Sequence, residues 1–408
     1  MAEASGSDAN ATENIVEINI TDTERRCAGS AVPLQDIYVA YQVESIIREP
    51  EKTPYIVWRR YSDFEVLHSH LQDSFPYVII PPLPERKVMY RWQKLPSDRL
   101  DPDFVERRRA SLELFLRRVA GHPELCTNTL FLEFLKHEAS WRDDLNTGGL
   151  LHRADSMLRS LNASLRLRSP DTEFEEVKSY SGDLQMSLSN ILRIRAKLAD
   201  RTYGLHQLHQ NYGRVLSEWC RLERGPHGDE LQRAGQFMDK YAQCALPLLE
   251  EQEQAADALK EYLFYAGALG AVCKHHDVLQ YELEKKEALF TSKESQHSQI
   301  SYEDIDKKVD GGAKAGQSLV SRLLSPSSPE QRASSLELQL ETLQGQIQTQ
   351  TREKKEFAKK AHAEIAKFQV QKDKDIKEAL ILYVISQIKL CNEVTSFEQY
   401  LRFLCNDS

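Results

Sequence analysis

The chain has 408 residues, 41% of them hydrophobic, which is enough for two or three domains with cores of their own and too many for a disordered polypeptide. Its formal net charge of -9 excludes a uniformly basic nucleic-acid binder, so attraction to an anionic surface has to come from local basic patches. The seven cysteines are scattered and free of any CxxC spacing, which points to reduced thiols in the cytosol rather than to a disulfide frame or a zinc site.

Residues 1–13 are small and polar and read as a disordered lead, with no basic start and apolar run of the kind a signal peptide needs. The longest apolar stretches, such as Ala379 to Ile385, fall far short of the roughly 20 residues that cross a bilayer, so any membrane contact is expected to be peripheral. From Ile15 the texture changes. Ile15, Val16, Ile18 and Ile20, then Tyr38 to Ile46 and Tyr55 to Trp58, are short β-branched and aromatic runs broken by Glu49-Pro50 and Thr53-Pro54, which predicts a three-stranded meander. A helix follows over Ser62 to Leu71. Pro81-Pro82-Leu83-Pro84 fits neither helix nor central strand and predicts a stiff extended loop. Asp103 to Val119 carries Phe104, Leu112, Phe115, Leu116 and Val119 on one side with arginines opposite, and a short helix is predicted near Leu130 to Lys136. Residues 14–140 are thus expected to form a compact α+β domain.

Residues 141–169 read as a linker with an amphipathic helix: Leu150, Leu151, Ala154, Met157, Leu158, Leu161 and Leu165 form an apolar stripe accompanied by Arg153, Arg159, Arg166 and Arg168. Such a helix suits either insertion into a lipid headgroup layer or packing on the rest of the protein. Beyond it strand signals cease. Over Ser181 to Leu222, Leu184, Leu188, Ile191, Leu198, Leu205, Tyr212, Leu216 and Trp219 step by three and four, skipping Arg195, Thr202 and His209, which predicts a heptad seam ended by Gly225, Pro226 and Gly228. A second long helix is expected from about Asp229 to Ser295, kinked by Pro247. Residues 308–330, rich in Gly, Ser and Pro, read as a mobile loop, and a third helix runs from about Pro329 to Phe403 with a seam of Leu336, Leu340, Leu343, Ile347, Phe357, Ala361 and Phe368. Helices this long need partners along their whole length, so residues 170–408 are expected to form an elongated antiparallel bundle completed by a second copy.

The chemistry concentrates in Trp58-Arg59-Arg60-Tyr61-Ser62-Asp63-Phe64, where a strand ends in two arginines and an aromatic before a helix begins. Guanidinium groups bind phosphate oxygens bidentately, and a tyrosine ring can lie under an inositol; the plainer alternative is a charged strand end with Tyr61 and Phe64 in the core. Arg86-Lys87 after the proline loop and Arg107-Arg108-Arg109 on the next helix favour a convergent anion pocket. Within the third helix, Arg352 to Lys377 holds nine basic residues against five acidic ones, a candidate membrane-facing side or else a solvated face. His206 with His209, and His275-His276, lack an acidic or cysteine cluster and are expected to be ordinary helix residues, and no catalytic motif appears, so neither enzyme activity, metal nor cofactor is expected.

Arg60-Tyr61-Ser62-Asp63-Phe64, Pro81-Pro82-Leu83-Pro84 and Phe104-Val105-Glu106-Arg107-Arg108 resemble the phox-homology (PX) domain of sorting nexins. Asn211-Tyr212-Gly213-Arg214-Val215, Leu259-Lys260-Glu261-Tyr262-Leu263-Phe264-Tyr265 and Lys377-Glu378-Ala379-Leu380-Ile381 extend the resemblance to the PX-BAR branch, and within it to the sorting nexin 4 group. The resemblance implies an α+β PX domain, a three-stranded antiparallel sheet plus helices, followed by an all-α three-helix BAR domain. It implies a phosphatidylinositol 3-phosphate ligand, with Arg60 on the 3-phosphate, Tyr61 against the inositol ring, Arg86 or Lys87 on the 1-phosphate and Arg108 on the ring hydroxyls. It further implies a peripheral protein of the cytoplasm and early endosome, acting in cargo recycling and autophagy as a homodimer or a heterodimer with related PX-BAR sorting nexins, without nucleic acid. Insertion of the Leu150 to Leu165 stripe belongs to the same expectation. The competing reading is a coiled-coil protein-interaction scaffold without lipid specificity.

Overall fold

In the computed structural model, which describes residues 15–27, 37–47, 53–86, 101–142, 159–160, 163, 166–223, 225–309 and 329–406, the three predicted strands form one antiparallel sheet of order β1-β2-β3. They are β1 (Ile15–Cys27), β2 (Ile37–Ile47) and β3 (Tyr55–Arg60), paired so that Ile20 faces Val43 and Val43 faces Val57. β1 runs past its predicted end at Ile20 because residues 21–27 are polar on both faces and carry no alternating signal, while their backbone still pairs with the first half of β2. The outer edge of β1 is closed by side chains of the second helix. Glu113 accepts a hydrogen bond from Ile20 N at 2.9 Å and Arg117 Nε donates to Ile18 O at 3.0 Å.

Helix α1 (Tyr61–Ser74) buries Phe64, Leu67 and Leu71 at three- and four-residue spacing. Helix α2 (Pro102–Ala120) begins with Asp101, whose carboxylate accepts from Asp103 N at 3.2 Å, and with Pro102 in the first turn, where its missing N–H costs nothing. Asn128 caps α3 (Thr129–Lys136) by accepting from Phe131 N at 3.0 Å. Phe64, Phe115, Phe131 and Phe134 are fully buried with Ile20, Val43 and Val57, and Phe64 meets Phe134 edge to face at 5.2 Å. Such a pair adds about 1 kcal/mol to what area burial gives.

The remaining described helices are α4 (Thr172–Trp219), α5 (Pro226–Val309) and α6 (Pro329–Asn406). Gly225, at φ 81°, forms the turn after α4, and Pro226 opens α5 instead of merely ending its predecessor. α5 continues through Pro247 and reaches Val309, beyond the predicted Ser295.

Contacts fall into two units, Met1–Leu145 with Ser179–Gly270 and Ile365–Ser408, and Asn146–Lys178 with Ala271–Glu364. In the first, α4 and α5 pair antiparallel: Ser181 Oγ donates to Ala266 O at 2.6 Å, Arg195 Nη1 to Gln252 O at 3.1 Å, and His206 Nδ1 to Ala242 O at 2.6 Å. Gly213 and Gly235 lie face to face, so that a Cβ on Gly213 would stand 2.9 Å from Gly235 O. Tyr262 donates to Asp375 at 2.7 Å and Lys389 pairs with Glu251 at 2.8 Å, setting α6 antiparallel to α5. In the second unit, Phe174 stacks on His276 at 3.8 Å and on His362 at 4.8 Å, and His275 lies against Phe357 at 5.2 Å.

The α4 seam departs from the sequence expectation. The positions buried against the rest of the chain are Leu188, Leu192, Arg195, Ala199, His206 and Leu216, whereas Ile191, Leu198, Leu205, Tyr212 and Trp219 are 46–55% exposed. Leu188 and Leu216 of the expected heptad are thus inside, while its other exposed members mark a different face, and the inner seam adds glycine, serine and hydrogen-bonded polar groups that bring the helices close. In α6 the expected seam is the inner one: Leu343, Phe357, Ala361 and Phe368 are buried.

Candidate functional site

The boundary between β3 and α1 sorts its two arginines by strand alternation. Arg59 shares the inward face with Val57 and is 1% exposed. Its guanidinium donates to Phe134 O at 2.7 Å, to Glu138 O at 3.0 Å and to His137 O, and lies over the Phe134 and Trp141 rings. Burial lowers its pKa to about 10, with Asp63 and Glu138 opposing the fall. Arg59 is therefore a structural cation that closes the end of α3.

Arg60 points the other way, with its side chain 43% exposed. It is the N-cap of α1, and its backbone N–H donates to Asp63 Oδ2 at 3.0 Å. The same carboxylate holds Arg60 Nε at 3.4 Å and pairs with Arg142, while the Arg60 guanidinium stands 5.9 Å from the Tyr38 ring.

Tyr61, the first residue of α1, donates its hydroxyl to Pro84 O at 2.6 Å and so ties the proline segment to the helix. Burial, then the Glu65 carboxylate, push the Tyr61 phenol up to about 12. Arg108 of α2 is 8% exposed; its guanidinium stacks 4.6 Å from the Tyr61 ring and 4.3 Å from Phe104. Nη2 donates to Glu85 O at 3.2 Å and Arg86 O at 3.0 Å, while Nε is buried without a hydrogen-bond partner. Arg86 is exposed and pairs with Glu65, whose hydrogen bond raises the Arg86 pKa. Tyr61, Arg86 and Arg108 therefore meet around residues 84–86, with Arg60 adjoining Tyr61 in the chain. Lys87 and the stripe residues Leu150, Leu151, Met157, Leu158, Leu161 and Leu165 lie outside the described residues.

The other members of the arginine triplet serve different ends. Arg109 pairs with Glu106 and Glu113 at 2.8 and 3.0 Å, and Arg107 reaches Glu253 of α5 at 3.1 Å. Glu253, 1% exposed, also takes Arg195 of α4. About three turns further along α2, Arg118 binds Glu261 at 2.8 Å and Asp375 at 2.9 Å. Burial alone would raise the Asp375 carboxyl, but the Tyr262 hydroxyl and Arg118 hold it below its ordinary value. α2 thus presents Arg108 to the candidate site and Arg107 and Arg118 to the long helices. Sequence reasoning missed Asp63 and Glu65 as the carboxylates that hold Arg60 and Arg86. Asp63 lies in the quoted motif and Glu65 directly after it, where attention to basic residues passed over them.

The chemistry on offer is anion recognition: guanidinium donors converge on a ring that can take a flat ligand. No group of His, Cys, Asp and Glu among the described residues has metal-holding geometry, and no described helix is long and apolar enough to cross a membrane.

The PX domain family matches residues 47–138. Sorting nexin-4 of Mus musculus is 42% identical over 385 residues, 93% of this chain and 84% of its own. Sorting nexin-4 of Homo sapiens is 41% identical over 402 residues, 96% of this chain and 88% of its own. The chain belongs to the sorting nexins. Sorting nexin-30 of Xenopus tropicalis matches this sorting nexin at 29% identity over 283 residues, 67% of this chain and 61% of its own. A cryo-EM structure of the SNX-BAR Mvp1 tetramer aligns with it at a TM-score of 0.52 and 16% identity, covering 96% of this chain and 100% of that one, a likeness of fold. The architecture is a PX domain with a three-stranded antiparallel sheet, followed by a helical region of the SNX-BAR type, as in membrane-associated trafficking proteins.

Proposed function

We propose that this sorting nexin binds phosphatidylinositol 3-phosphate on the cytoplasmic face of early endosomes and, as a dimer, senses or shapes curved membrane in cargo recycling and autophagy-related trafficking, as a binding protein without enzyme activity. The carrying observation is the Arg108 guanidinium, 8% exposed, stacked on Tyr61 and fixed by Glu85 O and Arg86 O, with the half-exposed Arg60 adjoining Tyr61 at the start of α1. Guanidinium groups fixed beside an aromatic ring and a helix N-terminus are preorganised for a phosphorylated ring. Arg60 takes the 3-phosphate in this reading, where the N-terminus of α1 adds its own positive end. Tyr61 lies against the inositol ring, Arg108 takes the ring hydroxyls, and Arg86 or Lys87 takes the 1-phosphate once Glu65 lets go.

Residues 14–140 are the lipid-reading domain, 141–169 a linker whose Leu150, Leu151, Met157, Leu158, Leu161 and Leu165 insert among headgroups, and 170–408 the curvature module. A second copy, or a related PX-BAR sorting nexin, covers the exposed α4 stripe, where Ile194 and Leu208 are each 64% exposed. Dimerisation then multiplies two modest headgroup contacts through effective concentration.

The test is co-sedimentation with small and large vesicles, each with and without phosphatidylinositol 3-phosphate, for wild type and Arg60→Ala. The expected outcome is lipid-dependent binding that falls about 10- to 100-fold in the variant, the range for losing a charge-assisted hydrogen bond. Binding indifferent to lipid and to Arg60 would refute the headgroup site and leave the coiled-coil scaffold, which the same apolar stripe favours.

A further inference from the structure

At the start of α1, Arg60 shares its carboxylate partner with a residue outside the motifs read from the sequence. Trp141, 3% exposed and edge to face with Phe134 at 5.1 Å, anchors the segment after α3 and brings its neighbour Arg142 to Asp63. One atom, Asp63 Oδ1, takes both Arg142 Nη2 and, at 3.4 Å, Arg60 Nε, while Oδ2 accepts from Arg60 N at 3.0 Å. Asp63 is 7% exposed, whereas the Arg60 and Arg142 side chains are 43% and 40% exposed. The carboxylate is enclosed and both guanidiniums reach solvent. Among the described residues, neither Arg60 Nη1 and Nη2 nor Arg142 Nε and Nη1 donate a hydrogen bond. The buried Arg59 and the Glu138 carboxylate stand in the same field, the Tyr38 ring lies 5.9 Å from the Arg60 guanidinium, and His137 pairs with Glu133 at 3.4 Å. Arg59, Arg60 and Arg142 therefore face Asp63 and Glu138, which leaves positive charge in excess beside the positive end of α1.

We infer that Arg142 is a further phosphate-binding residue, which grips the headgroup phosphomonoester together with Arg60 and makes the site select its doubly ionised form. A phosphate at Arg60 alone meets a guanidinium whose charge is already shared with Asp63, enough for one negative charge but not for two. Arg142, held at the same carboxylate oxygen, supplies the second positive charge and further donors in the forked geometry that suits phosphate oxygens. Phosphomonoesters lose their second proton near pH 6, so the contribution of Arg142 grows as pH rises through that value. The inference rests on the headgroup reading and adds to it a residue that lies beyond α3, outside the set of Arg60, Tyr61, Arg86, Lys87 and Arg108.

The experiment titrates the full chain with vesicles containing phosphatidylinositol 3-phosphate at about pH 5 and about pH 7.5, on either side of that ionisation, for wild type, Arg142→Gln, Arg142→Lys and Arg60→Ala. Comparison with wild type at each pH removes the titration of the protein's other groups. Arg142→Gln is expected to bind about 10- to 30-fold more weakly at the higher pH and no more than about threefold more weakly at the lower one. Arg142→Lys recovers part of the loss, because an ammonium keeps the charge without the fork. Vesicles of unphosphorylated phosphatidylinositol bind wild type and both Arg142 variants alike. An Arg142 that only steadies Asp63 would instead lose the same factor at both pH values, with full recovery in Arg142→Lys; that result, or unchanged binding by Arg142→Gln, would overturn the inference. Binding that requires the lipid and Arg60 but not Arg142 overturns this inference alone, whereas binding indifferent to the lipid and to Arg60 overturns the headgroup reading and this inference with it.

Discussion

The α/β domain and the long helices settle their hydrophobic residues differently. In the domain, Phe64, Leu67, Leu71, Leu112, Phe115, Phe131 and Phe134 close on one another, and the fully buried cation Arg59 is satisfied by carbonyls of the same domain. In the helices, the inner seam mixes leucines such as Leu188, Leu192 and Leu249 with glycine, serine and buried ion pairs such as Arg195 with Glu253, while Ile194, Leu198, Leu205 and Leu208 stay 46–64% exposed. One region is complete by itself. The other leaves a long apolar stripe of α4 exposed, a surface of the kind that interfaces use.

The largest expected effect breaks the self-sufficient side of that contrast. Arg59→Ala leaves the carbonyls of Phe134 and Glu138 buried without their donor and removes a cation stacked on two rings, so about 3–5 kcal/mol of stability should go. Urea melts of the isolated variant chain, followed by tryptophan fluorescence, check this; a loss below about 1 kcal/mol would mean that Arg59 is not structural. The neighbouring Arg60→Ala should leave the melt unchanged. Next comes the unsatisfied side. Leu198→Asp with Leu205→Asp should weaken self-association about a hundredfold, near 3 kcal/mol, without lowering helix content, because both leucines are about half exposed within the chain. Sedimentation velocity across concentrations reads it directly.

A third expectation tests the buried histidine of the second unit. His276 is 1% exposed, stacked on Phe174, with Nε2 3.8 Å from Asp171. Burial first, then Lys354, lower its pKa from 6.5 to about 4, against the pull of Asp171. The unfolded chain takes up a proton as pH falls through 6.5, whereas the folded chain does so only near 4, so stability is full above 6.5 and declines between those values. The decline attributable to His276 is about 2–3 kcal/mol. Thermal melts of wild type and His276→Gln from neutral pH downward should converge as the acid end is approached; parallel curves would remove His276 as the cause.

Much of this was legible in the sequence. Strand alternation and turn residues placed β2 and β3 within a residue or two, and the apolar face of Asp103 to Val119 placed α2 within one residue at each end. Two things were not. Periodicity of apolar residues in α4 found Leu188 and Leu216, which are buried, but drew most of its other positions from the outward face, because close helix approach needs small residues such as Gly213 and Gly235, which a hydrophobic count ignores. In Arg59-Arg60 the residue types are identical, and only the inward turn of Val57 and Arg59 shows which one is consumed by the core. The resemblance to PX domains, and not the pattern itself, singled out Arg60.

The smallest expected effect sharpens the comparison at the candidate site. Arg86 is exposed and paired with Glu65, so a phosphate that takes Arg86 must first displace that carboxylate. Exposed ion pairs are worth about 0.2–1 kcal/mol, and this is the amount that Glu65→Gln should return to headgroup binding. Vesicles carrying phosphatidylinositol 3-phosphate are therefore expected to bind Glu65→Gln about two- to fivefold more tightly than wild type. The gain should shrink at raised salt, which already screens the pair. Because Glu65 also sits in the field that raises the Tyr61 phenol, the same variant should lower the Tyr61 titration seen by ultraviolet absorbance. Weaker binding by Glu65→Gln would show instead that the carboxylate positions Arg86 for the ligand, and would move Glu65 from competitor to part of the site.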